Sequence, residues 1–361
     1  MNKALLQAAF KNKKVFLTGH TGFKGAWMLQ LLCWLGADVK GYSLAPEKPQ
    51  DLFNQIDGAK LCSSSIIADL KDAATLQQEL ENYQPDFVFH LAAQALVRRS
   101  YAAPVDTFMV NAIGTANVLQ AMRGLKKTCI GLMITTDKVY ENPERGLPFS
   151  EEDKLGGYDP YSASKAAAEI VIDSFRRSFF HPEKYEEHKK AIASVRAGNV
   201  IGGGDYADDR IIPDIIRALE KKEKVVLRNP HSVRPWQHVL EPVSAYLLLA
   251  AKMLEEPVAL SSSFNFGPEP NDEKSVEALT QIFLQAFDRE DGYEMHHSSE
   301  NPHEAKLLLL DSSKAKQHID WHPKLDAITA INWTANWYAD TTTSAREKCQ
   351  RQIEHYFQNN N

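Results

Sequence analysis

From Lys14 to about Arg196, short apolar runs rich in β-branched and aromatic residues alternate with segments of helical periodicity. Val15–Thr18 reads as a strand and is followed by a helix from about Lys24. Asp38–Ser43, Ser65–Ala68 and Asp86–Ala92 read as further strands, with a helix around Leu76 between the last two. A helix near Pro104–Arg123, an apolar strand at Ile130–Thr135, a long helix from about Tyr161 to Phe179 and a strand at Ala191–Val195 continue the alternation. Strands separated by helices cannot pair as hairpins, so this pattern predicts βαβ units and a parallel sheet. The expected class is α/β, a Rossmann-type doubly wound parallel sheet. Beyond Asn199 the texture changes to a glycine loop (Gly202–Gly204) and short strands at Val225–Leu227, Gln237–Leu240 and Ser263–Phe266. Helices follow near Asp214–Lys221, Pro242–Leu254 and Val276–Phe287. Residues 1–198 are therefore expected to form mainly the first domain and 199–361 mainly a smaller mixed α/β lobe, with some later segments returning to the first. The tail from Ala345 to Asn361 reads as a polar helix with a frayed end.

Charge and composition narrow the function classes. The 361 residues carry 41 Lys+Arg against 47 Asp+Glu, a net charge of −6, which argues against the basic face that nucleic-acid binding needs. The apolar stretch Tyr246–Leu254 is interrupted by Lys252 and falls short of the roughly 20 residues that span a bilayer. The opening residues lack a signal-peptide core, so a cytoplasmic protein is expected. Cys33, Cys62, Cys129 and Cys349 are scattered without CxxC spacing and read as reduced packing residues. His296, His297, His303 and Glu304 cluster in sequence, but adjacent histidines point apart on a helix or strand, and no metal is expected.

Three segments carry candidate chemistry. Gly19, Gly22 and Gly25 lie at a three-residue period, directly after an apolar strand and at the opening of a helix. Backbone N–H groups at such a helix start favour a pyrophosphate, and glycine lets it approach. The acidic residue that normally bonds the adenosine ribose is missing from the end of the second strand, where Ser43 stands, so the residues alone leave NAD and NADP open. Asp69 reads equally as an acceptor for the adenine amino group or as a helix N-cap. Tyr161 and Lys165 follow Pro160 at a helix start, and their i, i+4 spacing puts phenol and ammonium on one face, where the cation lowers the phenol's pKa. Thr136-Asp137-Lys138 follows the strand at Ile130, at the carboxyl end of the sheet, where Thr136 can share a substrate hydroxyl with Tyr161.

With these motifs, the chain from Val15 to about Trp337 resembles the extended short-chain dehydrogenase/reductases that act on nucleotide sugars, most closely their CDP-glucose 4,6-dehydratase branch. Gly19-His20-Thr21-Gly22-Phe23-Lys24-Gly25, Thr136–Tyr140, Tyr161–Lys165, Arg196–Asp205 and Arg234–Val239 carry the likeness. Lys138 stands where the related dTDP-glucose dehydratases resemble Thr-Asp-Glu. The resemblance implies a redox-neutral reaction with NAD as cofactor. Tyr161 accepts the O4 proton, Asp137 acts as the acid for loss of the C6 hydroxyl, and Lys138 is either the C5 base or an anchor for the enolate. It further implies cofactor contacts from Gly19, Thr21, Gly22, Phe23, Lys24, Gly25, Ser43, Asp69, Leu70, Leu91, Ala92, Ala93, Tyr161 and Lys165. CDP-glucose contacts are implied for Gln94, Asn199, Arg210, Arg234 and His238, although His238 by itself reads as a structural histidine. A homodimer through the helices at Pro104–Arg123 and Tyr161–Phe179 is also implied. The rival readings are another nucleotide-sugar 4,6-dehydratase, a 4-epimerase, which needs no acid–base pair for water loss, and a non-catalytic NAD(P)-sensing module.

Overall fold

A computed structural model describes residues 3–144, 146–289, 292–295 and 308–358. Seven parallel strands form the main sheet: β1 (Lys14–Thr18), β2 (Asp38–Ser43), β3 (Ser64–Ile67), β4 (Phe87–His90), β5 (Cys129–Ile134), β6 (Lys190–Ala197) and β7 (Ser263–Phe266). Their spatial order is β3-β2-β1-β4-β5-β6-β7. β4, β5 and β6 are buried along their whole length, as expected of parallel strands covered on both faces. One apolar layer, including Phe10, Trp27, Leu29 and Tyr246, covers one face. The other is covered by a layer that includes Phe16, Tyr42, Leu76, Val118 and Ile172. Each such side chain contributes about 1.5–3 kcal/mol on burial. The strand order reverses between β1 and β4, and ligands of doubly wound sheets bind at the carboxyl ends beside that reversal.

Several later segments join the first unit. β7 pairs with β6, the helix Leu240–Glu255 packs on the sheet, and the helix Ala345–Gln358 docks against it. That last helix is more than polar: it buries Cys349, Ile353, Tyr356 and Phe357, and the Ser244 hydroxyl donates to that of Tyr356 at 3.0 Å. Residues 359–361 lie outside the described residues. The helix Lys3–Phe10, which no sequence signal announced, is held by Leu6 and Phe10, the latter 4.6 Å from the Phe87 ring. A separate core of Ile212, Ile215, Leu227, Trp236, Phe283 and Ile331 supports the second lobe.

The expected single helix at Pro104–Arg123 is in fact three pieces, with a π-helical turn at Met109–Ile113 between Pro104–Phe108 and Gly114–Arg123. The turn carries the buried Asn111, whose amide bonds the Gln94 backbone and Ser164 Oγ (2.9 Å). Such π-turns inside helices frequently lie at functional sites. The expected strand Gln237–Leu240 ends at His238, because Leu240 opens the next helix.

Candidate active site

A cleft of about 800 Å³ runs along the carboxyl ends of the sheet strands into the second lobe. Its wall contains every residue singled out from the sequence for cofactor, catalysis or substrate except His238.

The glycine loop is fitted to its place. Gly19 has φ +75°, and a Cβ there would lie 2.6 Å from the Ala92 backbone nitrogen. A Cβ on Gly25 would run into the Gly19 carbonyl, whereas one on Gly22 would meet no atom closer than 3.5 Å. The chain therefore crosses β4's exit loop at Gly19 and leaves open space at Gly22. No side chain caps the helix Phe23–Trp34 that begins there, so its first N–H groups face the cleft available to an anion. These features fit a dinucleotide pyrophosphate. Ser43 accepts a hydrogen bond from Thr21 Oγ1 at 2.9 Å, fixing the β2 end beside the loop. Asp69 is not a helix cap: Asp72 takes that position, accepting from the Thr75 N–H, while Asp69 accepts from the Lys71 N–H on the cleft wall.

At the reaction end, the Asp159 side chain caps the helix Pro160–Ser178 through the Ser162 N–H (3.0 Å), which sets the first-turn Tyr161 into the cleft. Thr136 follows β5, donates from Oγ1 to Asp137 Oδ1 at 2.9 Å, and accepts the Lys138 N–H. The Lys138 ammonium lies 3.6 Å from the same Asp137 oxygen. Asp137 is 1% exposed, and its Oδ2 is buried with no hydrogen-bond partner among the described residues. Lys165 donates to the Ile134 carbonyl at 3.1 Å, and burial pushes its ammonium down to about 8 against the opposing charge of Glu169. Burial raises the Tyr161 phenol; Lys138 and a hydrogen bond from Thr136 work against that rise, Asp137 adds to it, and Arg210 opposes it. Lys138 thus adds a second cation beside the phenol to the Lys165 ammonium, which sits one helical turn from Tyr161.

Lys24 departs from its expected surroundings. Its ammonium lies 5.7 Å from the Tyr246 ring centroid, and its pKa is brought down to about 8 by burial, then by Arg210 and Lys165, against Asp137. It belongs electrostatically to the reaction end as much as to the glycine loop.

Of the substrate residues, Asn199 and Arg234 line the second-lobe side. Arg210 pairs with Asp205 at 3.0 Å. The Gln94 side-chain amide is engaged by Leu96 and Thr107 and its backbone by Asn111, so only its stem faces the cleft without a partner. His238 corrects the expectation of a substrate contact: it is fully buried, edge-on to Trp27 and Trp333, and burial holds it neutral with a pKa of about 3. Sequence reading missed Lys48, Arg98 and Arg228 on the cleft wall. Their only local signal is a lone basic residue, Lys48 in a bend, Arg98 in the short helix Val97–Ala102 and Arg228 after a short strand. Among the described residues no three or more His, Cys, Asp or Glu gather as a metal centre, and His296, His297, His303 and Glu304 lie outside the described residues. Nor, among the described residues, is any helix long and apolar enough to cross a membrane.

A parallel sheet with a glycine loop at its reversal point and a buried Tyr–Lys pair at its carboxyl edge defines a Rossmann-type dinucleotide enzyme of the short-chain dehydrogenase/reductase kind. Within that class the chain belongs to the family described as GDP-mannose 4,6 dehydratase, matched over residues 16–332. It is 42% identical over 329 residues to the CDP-glucose 4,6-dehydratase of Salmonella typhimurium, covering 91% of each chain. It is 26% identical over 292 residues to the dTDP-glucose 4,6-dehydratase of Xanthomonas campestris pv. campestris, covering 77% of this chain and 79% of the relative. A dTDP-glucose 4,6-dehydratase from Streptomyces venezuelae, solved with NAD and TYD bound, shares the fold with a TM-score of 0.75 at 21% identity, over 91% of this chain and 97% of that one. A UDP-glucose 4-epimerase from Thermotoga maritima, solved with UDP-glucose, matches with a TM-score of 0.75 at 20% identity, over 91% of this chain and all of that one.

Proposed function

We propose that this chain is a CDP-glucose 4,6-dehydratase, converting CDP-glucose to CDP-4-keto-6-deoxyglucose and water within deoxysugar biosynthesis for surface polysaccharide of the O-antigen type. The observation that carries the reading is the buried Asp137 with the half-buried Lys138 ammonium 3.6 Å from its carboxylate, set in the same cleft as Tyr161. A 4-epimerase has no use for it, and the 42% identity to a CDP-glucose 4,6-dehydratase points the same way. NAD, held by the Gly19–Gly25 loop, would supply the acceptor for the C4 hydride and the donor for C6.

The residues do the rest. Tyr161 takes the O4 proton as the ketone forms, acting as the phenolate that the Lys138 charge and the Thr136 hydroxyl favour against burial. The ketone acidifies the C5 hydrogen. Water loss then requires a base at C5 and an acid at the C6 hydroxyl, roles that fall to the Lys138 amine and the Asp137 carboxyl. The amine removes the C5 proton and the acid protonates the departing C6 hydroxyl. The unpartnered Asp137 Oδ2 is the oxygen free for that task. Residues 1–198 serve mainly the cofactor and 199–361 mainly the nucleotide sugar, where Arg210, Arg228 and Arg234 suit the diphosphate.

The active form is a homodimer in the cytoplasm. Val105, Met109, Ile113, Ile170 and Phe179 leave apolar area exposed on the helices at Pro104–Arg123 and Pro160–Ser178, which supports pairing there. A sedimentation mass of one chain would contradict the dimer. The function is tested by incubating the protein and NAD with CDP-, dTDP-, UDP- and GDP-glucose separately and reading mass. Loss of one water from CDP-glucose alone is expected, whereas an epimerised sugar of unchanged mass would refute the reading.

A further inference from the structure

One turn beyond Lys165, the same helix carries Glu169, which the chemistry above does not use. It is 3% exposed, yet it is ionic and fully engaged. Its carboxylate accepts from Thr135 Oγ1 (2.5 Å), Ser194 Oγ (2.7 Å), and Nε (3.0 Å) and Nη2 (2.9 Å) of Arg196. Arg196 Nη1 donates to the Tyr140 hydroxyl at 2.7 Å, and that hydroxyl donates to Asn265 Oδ1, also at 2.7 Å. Burial raises the Glu169 carboxyl, but Arg196 and the hydrogen bonds overcome it and leave it below the usual carboxylate range.

The placement of the partners is the informative feature. Thr135 and Tyr140 bracket the segment that holds Thr136, Asp137 and Lys138. Both ends of that segment are tied to one buried ion pair, and the pair's anion is rooted in the helix that presents Tyr161. Buried ion pairs are a poor source of stability, since apolar residues of similar volume often do as well. What an apolar pair cannot do is fix the Thr135 and Tyr140 hydroxyls and a helix in one geometry while placing a negative charge one turn from Lys165. Glu169 is the carboxylate that supports the Lys165 ammonium. The other titratable neighbours are Lys24, from the glycine-loop helix, which repels it, and His90 of β4, held neutral by burial and by Lys165 itself.

We propose, on the basis of the dehydratase reading, that Glu169 and Arg196 are positioning residues: their ion pair sets Asp137 and Lys138 against Tyr161, and Glu169 supplies the counter-charge for Lys165. The test uses E169Q, R196K and the charge-free double variant E169Q/R196M, which keeps the interior free of a lone charge should E169Q fail to fold. Turnover of CDP-glucose by E169Q is expected to fall about 10²-fold in kcat with KM unchanged, the cost of a displacement on the order of 1 Å. The alkaline limb of its pH profile moves to lower pH, since Lys165 loses its anion. R196K keeps that limb in place but loses the Tyr140 bond, so water loss slows and reduced nicotinamide accumulates during turnover. The double variant is expected to unfold near the wild-type temperature and bind NAD normally, yet show the same kcat loss and shifted limb as E169Q. A folded double variant with wild-type kcat and an unmoved limb would overturn the proposal alone. A wild-type protein inactive toward CDP-glucose in the same assay would instead overturn the dehydratase reading, and the proposal with it.

Discussion

The two ends of the cleft are built on opposite electrostatic terms. At the reaction end Tyr161, Thr136, Asp137 and Lys165 are all buried, and each is fixed by a strand end, a helix cap or a backbone carbonyl. At the outer end Lys48, Arg98, Arg210 and Arg228 are partly exposed and paired with Asp208, Asp209, Asp205 and Asp214. Asp209 alone lies 3.4 Å from both Arg98 and Arg228. Burial moves proton affinities, as Lys165 and Tyr161 show, whereas exposed ion pairs are worth only about 0–1 kcal/mol each. On the proposed function, proton chemistry is thus placed where little can move, and diphosphate recognition where a carboxylate can be displaced at small cost.

The contrast predicts a descending series of effects. Tyr161→Phe removes the proton acceptor from the dry end and should lower kcat by about 10³-fold, within the usual range for general acid–base groups, with cofactor binding intact by titration. Lys138→Ala should cost about 10²-fold and stall after the first oxidation, so that solvent deuterium no longer enters at C5; unchanged C5 exchange would leave Lys138 as an electrostatic anchor only. Arg228→Ala, at the wet end, should leave kcat alone and raise KM about 10-fold, or about 1.4 kcal/mol, an effect that shrinks in high salt. Equal losses in kcat at both ends would erase the distinction.

Smaller effects sharpen it. Lys165 must stay charged, and its ammonium is pushed down to about 8, so activity should fall as pH rises through about 8. Lys24→Met removes a repelling cation and should carry that limb to higher pH, the opposite of Glu169→Gln. Asp159→Ala deletes the helix cap and should cost about 1 kcal/mol of stability in thermal unfolding.

The same division governs what was legible in the sequence. Strand Asp38–Ser43, strand Ser263–Phe266 and the helix bearing Tyr161 were readable because periodicity and caps are local. The membership of Ser263–Phe266 in the main sheet was not, since strand neighbours are a tertiary matter. The glycine loop and the Asp137–Lys138 pair were readable because strand ends deliver them to one place. His238 was misplaced because it sits one residue from a helix start whose packing against Trp27 and Trp333 leaves no trace in local pattern. Arg98, Arg228 and Glu169 went unseen for a related reason: their partners lie 111, 19 and 14, or 27 residues away along the chain.

The most direct measurement is a single turnover of CDP-glucose carrying deuterium at C4, with NAD, in ordinary water. Product that has lost one water and carries that deuterium at C6 is the predicted result. Unlabelled product, or labelled sugar that has kept its C6 hydroxyl, would contradict a closed reaction end in which Tyr161, Asp137 and Lys138 work around one internally returned hydride.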